Sequence, residues 1–211
     1  MKTIISVLLH MACLSLVAAL PNAAAHAQTE MLWDDGTAEY YVTGETGQSE
    51  AVRFVRPSGS AQLTSIKFFL GDDGIEDPDA PGASTIMDFL VRVWLPGTSG
   101  PGVQYGSGWS AGAGATEGAW FEFALPTPIE LSDSAGFTDG VFYVGMTWDA
   151  RFNPRVGFDS DPPVHGATWE DDWGGFSQIE SADAMIRAVV VDSTSSPVEL
   201  TTWGSVKSSF R

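Results

Sequence analysis

The stretch Val141-Phe142-Tyr143-Val144-Gly145-Met146-Thr147-Trp148 decides the fold class. Phe142, Val144, Met146 and Trp148 fall on one parity, Tyr143 and Thr147 on the other. An extended chain points successive side chains to opposite faces, so this period of two builds a strand with one buried face and one that is at least partly wet. The alternation recurs outward from this stretch. Ile66, Phe68 and Leu70 share a face within 63–71. Phe89, Val91 and Val93 oppose Asp88, Arg92 and Trp94, and Phe121, Phe123 and Leu125 oppose Trp120 and Glu122. Strands are expected near 38–43, 49–56, 63–71, 86–95, 118–125, 141–149, 155–159 and 183–192. The chain has 23 glycines and 12 prolines, which punctuate these runs as turn formers. The expected architecture is all-β, an antiparallel two-sheet β-sandwich of jelly-roll-like type. Residues 72–84 are acidic and 96–117 rich in Gly and Ser, so both are expected as surface loops.

The N-terminus reads as an export signal. Met1-Lys2-Thr3 is a short positive start, Ile4 to Leu20 is an apolar run, and Ala23-Ala24-Ala25-His26-Ala27 offers small residues at the cleavage positions. The alternatives are a membrane anchor, which needs about 20 apolar residues, and a lipoprotein signal at Cys13. Cleavage after residue 27 leaves 28–211 with no cysteine, 27 acidic residues and 9 basic ones, a formal charge of −18. A disulfide framework is then excluded, and the core must carry the stability. The acidity excludes nucleic acid and anionic membrane surfaces as partners, because phosphate binding requires clustered Lys and Arg. No transmembrane span is expected after signal cleavage. The sandwich is expected over 28–192, with a linker at 193–197 and a tail at 198–211. In that tail Trp203, Val206 and Phe210 would line one face of a short helix, with Lys207 and Arg211 near its C-terminal end.

Four short segments carry a resemblance: Leu32-Trp33-Asp34-Asp35-Gly36-Thr37-Ala38-Glu39, Phe142-Tyr143-Val144-Gly145, Val156-Gly157-Phe158-Asp159 and Ala184-Met185-Ile186-Arg187-Ala188. Their order resembles non-catalytic β-sandwich modules of secreted and cell-surface bacterial proteins, in which an acidic DDG-x-AE start and an IRA final strand recur. The resemblance implies a binding or structural role outside the cytoplasm. The ending from Thr202 to Arg211 looks like a C-terminal tail of exported bacterial proteins. That likeness implies a sorting or attachment signal carried by Trp203, Gly204, Lys207, Phe210 and Arg211.

Catalytic signatures are scarce. After cleavage His165 is the sole histidine, which leaves a Ser-His-Asp triad or a multi-histidine metal centre hard to build. A carboxylate pair acting on glycosides is the enzymatic alternative. Hard cations seek six to eight oxygens on flexible loops, so structural Ca²⁺ is a candidate cofactor. Asp72, Asp73, Glu76, Asp77 and Asp79 are its first candidate ligands; Asp34, Asp35 and Glu39 form a second cluster, Asp159 and Asp161 a third. Acidic residues also populate solvated turns with no metal. The chain has eight tryptophans. Flat aromatic faces stack on sugar rings, which makes Trp94, Trp109, Trp120, Tyr143, Trp169 and Trp173 candidates for carbohydrate binding. Aromatic residues equally fill cores. A glycan or a cell-surface partner is the ligand class expected.

Overall fold

Burying the alternating apolar faces against one another produces two antiparallel sheets. A computed structural model describes residues 28–57, 60–71, 88–112, 115–116, 118–149, 154–171, 173 and 175–192. The expected signal peptide, linker and tail lie outside the described residues, as does the acidic segment from Asp72 to Asp79.

The first sheet contains β1 (Gln28–Met31), β2 (Tyr40–Val42), β4 (Ala61–Gly71), β8 (Ala119–Glu130), β10 (Arg155–Asp159), β13 (Asp183–Ala184) and β14 (Ile186–Asp192). The second contains β3 (Ser49–Val55), β5 (Phe89–Pro96), β6 (Pro101–Gln104), β7 (Trp109–Ala111), β9 (Val141–Trp148), β11 (Thr168–Asp171) and β12 (Phe176–Ile179). Between them lies the expected core. Ile66, Phe68 and Leu70 of β4 meet Phe89, Val91 and Val93 of β5 and the even-numbered residues of β9. The Phe68 and Phe89 rings meet edge to face at 5.2 Å, and Phe121 of β8 joins Phe89 at 6.0 Å. Each such side chain contributes about 1.5–3 kcal/mol when fully buried.

The structure corrects one expectation. Residues 96–117 are not simply a surface loop, because β6 and β7 lie within them and both pair with β5. The glycines that read as loop punctuation permit the tight β5–β6 hairpin. A Cβ on Gly97 would come within 3.0 Å of the Gly102 Cα, and one on Gly102 within 2.9 Å of the Gly97 Cα. Strands β1, β11 and β12 were also outside the expected set. At four residues each, they are too short to display a period.

The second sheet curls. Its strand order is β12-β11-β3-β9-β5-β6, so four steps separate β12 from β5. At about 4.8 Å per step a flat sheet would hold them roughly 19 Å apart, yet the rings of Trp94 on β5 and Phe176 on β12 are 5.4 Å apart. Gly145, inside β9, sits where the β3 backbone comes close. A Cβ there would fall 1.8 Å from the Glu50 carbonyl oxygen of β3, a close approach of the kind that interior strand glycines permit.

A half-buried charge cluster ties the beginning of the described chain to its end. Arg187 of β14 donates from Nε and Nη2 to the two oxygens of Asp34, whose side chain is fully buried, and from Nη1 to Glu30 at 2.7 Å. Lys67 donates to the other Glu30 oxygen at 2.5 Å. The guanidinium carbon lies 3.9 Å from the Trp120 ring centroid. Burial works against the charged form of Glu30, but its Lys67 and Arg187 hydrogen bonds win and hold the carboxyl below its ordinary range. The acidic start and the IRA strand are thus the two halves of one ion pair. Replacing Arg187 with Ala would leave Asp34 buried without its counter-charge, a loss of about 3–5 kcal/mol. Arg187→Lys should recover only part of it, because an ammonium does not reproduce the bidentate fork. Urea denaturation of the two variants checks both statements.

Candidate functional site

The outer face of the second sheet was expected to be wet, but its curl encloses a second aromatic cluster. Ala51 of β3, Trp94 of β5 and Tyr143 of β9 form the floor, with Trp169 of β11 and Phe176 of β12 packed over them. Trp94 and Tyr143 retain only 5% and 4% of their exposure, which corrects their expected wet placement. The Trp169 ring meets Tyr143 at 6.2 Å, edge to face. Burial pushes the Tyr143 phenol up, against the opposing pull of the Arg53 guanidinium bonded to it.

The glycine-rich hairpin closes this cluster on one side. A Cβ on Gly100 would lie 2.6 Å from the Trp169 ring, so the glycine backbone is what lets the hairpin and the indole meet. At the mouth is an open groove of about 530 Å³, lined by the 97–103 segment and by Gly175 and Phe176. Thr98 and Ser99 add hydroxyls to its rim, and Val103 projects beside it, 75% exposed. The buried Trp169 Nε1 has no hydrogen-bond partner.

Of the six aromatic candidates, Trp94, Tyr143 and Trp169 come together here. Trp109 sits on the inner face, 6.4 Å from the Phe123 ring, and serves the core. Trp120 lies on the first sheet beneath Arg187, with Phe69 against it at 5.4 Å. Trp173 stands in the β11–β12 connection, 66% exposed, with a backbone φ of 57°. Its ring lies over Gly47, where a Cβ would come within 3.0 Å of it. Phe176 was missed from sequence: β12 is too short to show a period, and the partner across the curl is remote in sequence.

Several acids of the second and third clusters serve the backbone. Asp159 accepts from the amides of Asp35 at 2.7 Å and Asp161 at 2.9 Å, and Glu39 accepts from the Ser160 amide at 2.8 Å. The second and third acidic clusters therefore converge, as loop fasteners. Among the described residues no group of three or more His, Cys, Asp and Glu could hold a metal ion. His165 pairs through Nδ1 with buried Asp183 at 2.9 Å, and Asp183 also accepts the His165 amide at 2.8 Å. Trp33 packs on that imidazole at 4.9 Å. Asp183 thereby fastens the backbone and the imidazole of the 165–167 segment. Glu50 was also missed from sequence. The available signal was a carboxyl on the same parity as Val52 and Phe54.

No family model matches the chain, and no curated protein matches it in sequence. Its fold is similar to that of solved structures. One contains the cysteine protease and lectin-like domains of Cwp84, a surface layer associated protein of Clostridium difficile, at 10% identity and TM-score 0.51, covering 83% of this chain. Another is a clostridial Cwp84 cysteine protease after propeptide cleavage, at 11% identity and TM-score 0.51, again covering 83% of this chain. The chain spans 37% and 42% of those two chains. No helix among the described residues is long and apolar enough to cross a membrane.

A Gly100→Ala substitution tests whether the hairpin sits as tightly on Trp169 as the distances require. It should cost about 1–3 kcal/mol by overpacking and change the near-UV circular dichroism of the aromatic cluster.

Proposed function

We propose that the chain is an exported, non-catalytic β-sandwich protein that binds a glycan or a glycan-bearing surface component outside the cytoplasm. The observation that carries this reading is the groove between the glycine-rich hairpin and β12. It is lined by an aromatic residue, Phe176, by the hydroxyl residues Thr98 and Ser99, and by the glycines Gly97, Gly100, Gly102 and Gly175. A pyranose ring offers the complementary surface: an apolar face for stacking and a girdle of hydroxyls for hydrogen bonds. The chain's net charge of −17 favours neutral sugars over sulfated or uronic polymers.

The fold likeness supports the same reading. We infer that the match to Cwp84 falls on its lectin-like part, since this chain is built of strands. Four buried acids are engaged in ways that fit the non-catalytic reading. Asp34 is bonded to Arg187, Asp159 and Asp183 accept backbone amides, and Glu50 is sealed from solvent. The signal peptide at 1–27 and the tail bearing Trp203 and Lys207 fit an exported, surface-held protein, of the secreted bacterial module type that the motifs resemble. Structural Ca²⁺ is proposed for the segment with Asp72, Asp73, Glu76, Asp77 and Asp79.

Affinity electrophoresis and calorimetry on residues 28–211 against neutral and acidic polysaccharides test the binding. A neutral polymer should retard the protein, and a sulfated one should not. Phe176→Ala should weaken binding about tenfold, equivalent to about 1.4 kcal/mol, with the fold intact by circular dichroism. Retardation that Phe176→Ala leaves unchanged would remove the groove as the site.

A further inference from the structure

Glu50 lies on the inner face of β3, sharing parity with Val52 and Phe54. Its exposure is 0%, and neither carboxyl oxygen has a hydrogen-bond partner. The register sets Met146 of β9 opposite it on one side and Glu170 of β11 on the other. Directly opposed residues on neighbouring antiparallel strands hold their Cβ atoms about 4.5–5.5 Å apart. A fully buried carboxyl, Glu50, thus stands opposite a half-exposed one, Glu170. From β2, Tyr40 also feels Glu50: burial raises its phenol, and the charges of Glu50 and Glu39 raise it further.

The position of this pair matters. Among the described residues β12 pairs only with β11, and β11 otherwise pairs only with β3, across Ser49–Val52. The hairpin that carries Trp169 and Phe176 therefore hangs on the strand pairing in which Glu50 opposes Glu170. Like charges at directly opposed positions oppose that pairing.

We propose that Glu50 and Glu170 form a proton-dependent latch that holds the β11–β12 hairpin on β3. With Glu50 protonated, the hairpin stays seated and the aromatic concavity is closed. With both carboxyls ionised, their repulsion and the desolvation of Glu50 loosen the hairpin and open the concavity. This holds whether or not the groove takes a glycan.

The direction with pH follows from the burial. Burial, and then the charge of Glu170, push the Glu50 carboxyl well above the ordinary range. The folded chain therefore holds this proton more tightly than the unfolded chain does. The stability tied to it is complete below the ordinary carboxylate pKa and is lost as pH rises through the folded value. Glu30 has the opposite sign: its folded pKa is depressed, so its contribution is lost as pH falls.

Hydrogen exchange on the full chain, corrected for intrinsic rates, tests the latch between about pH 5 and about pH 9. In the wild type, amide protection in 168–179 should fall about tenfold per pH unit above the Glu50 pKa, while protection across β5 and β9 holds. Glu50→Gln should flatten that dependence, and Glu170→Gln should reduce it through the partner. Glu180→Gln removes an exposed acid beyond β12 and should behave as wild type. Wild-type protection that does not change with pH would overturn the latch. So would a Glu50→Gln variant that follows the wild type. Protection at neutral pH that Ca²⁺ restores in the wild type but not in Glu50→Gln would overturn it as well, by making the pair a cation site.

Discussion

Everything in this molecule rests on the face-to-face burial of two strand surfaces, centred where Phe68 of β4 meets Phe89 of β5. The two residues come from strands that do not pair with each other, one in each sheet. With no cysteine in the described residues, no covalent link shares the load. The inner parity of β4, β5 and β9 is apolar because this contact requires it. What remains free to vary is the outer parity, and there the two sheets diverge. The first sheet carries the Arg187, Glu30 and Lys67 charge cluster on its outer face. The second carries aromatic rings and must hide them by curling.

That curl depends on glycine at two kinds of place. Gly145 lets β3 approach the interior of β9, and Gly97, Gly100 and Gly102 let the hairpin lie flat against itself and against Trp169. Side chains at these positions would occupy space now filled by backbone or indole. The candidate groove is therefore a product of missing side chains as much as of present ones, and its rim is polar where Thr98 and Ser99 remain.

The acidic residues divide by environment. Asp34, Asp159 and Asp183 are buried, and each accepts hydrogen bonds from a guanidinium or from backbone amides. Glu50 has no such partner and faces another carboxyl, so burial drives it toward the neutral form. Glu30, held by Lys67 and Arg187, is shifted the other way, so the two glutamates respond oppositely to pH.

The amino-acid sequence by itself determined the all-β class, the main strands and the inner face of each, because alternation is a local property that side-chain direction converts into burial. It also marked Trp94, Trp120 and Tyr143 as standing on the parity opposite the core. It did not reveal β1, β6, β7, β11 or β12, whose three or four residues are too few to display a period. Nor did it bring Phe176 to Trp94, Asp34 to Arg187, or Glu50 to Glu170. Each of these contacts joins residues far apart along the chain. Only the register of the strands and the curl of the second sheet decided which outer residues meet water and which meet one another.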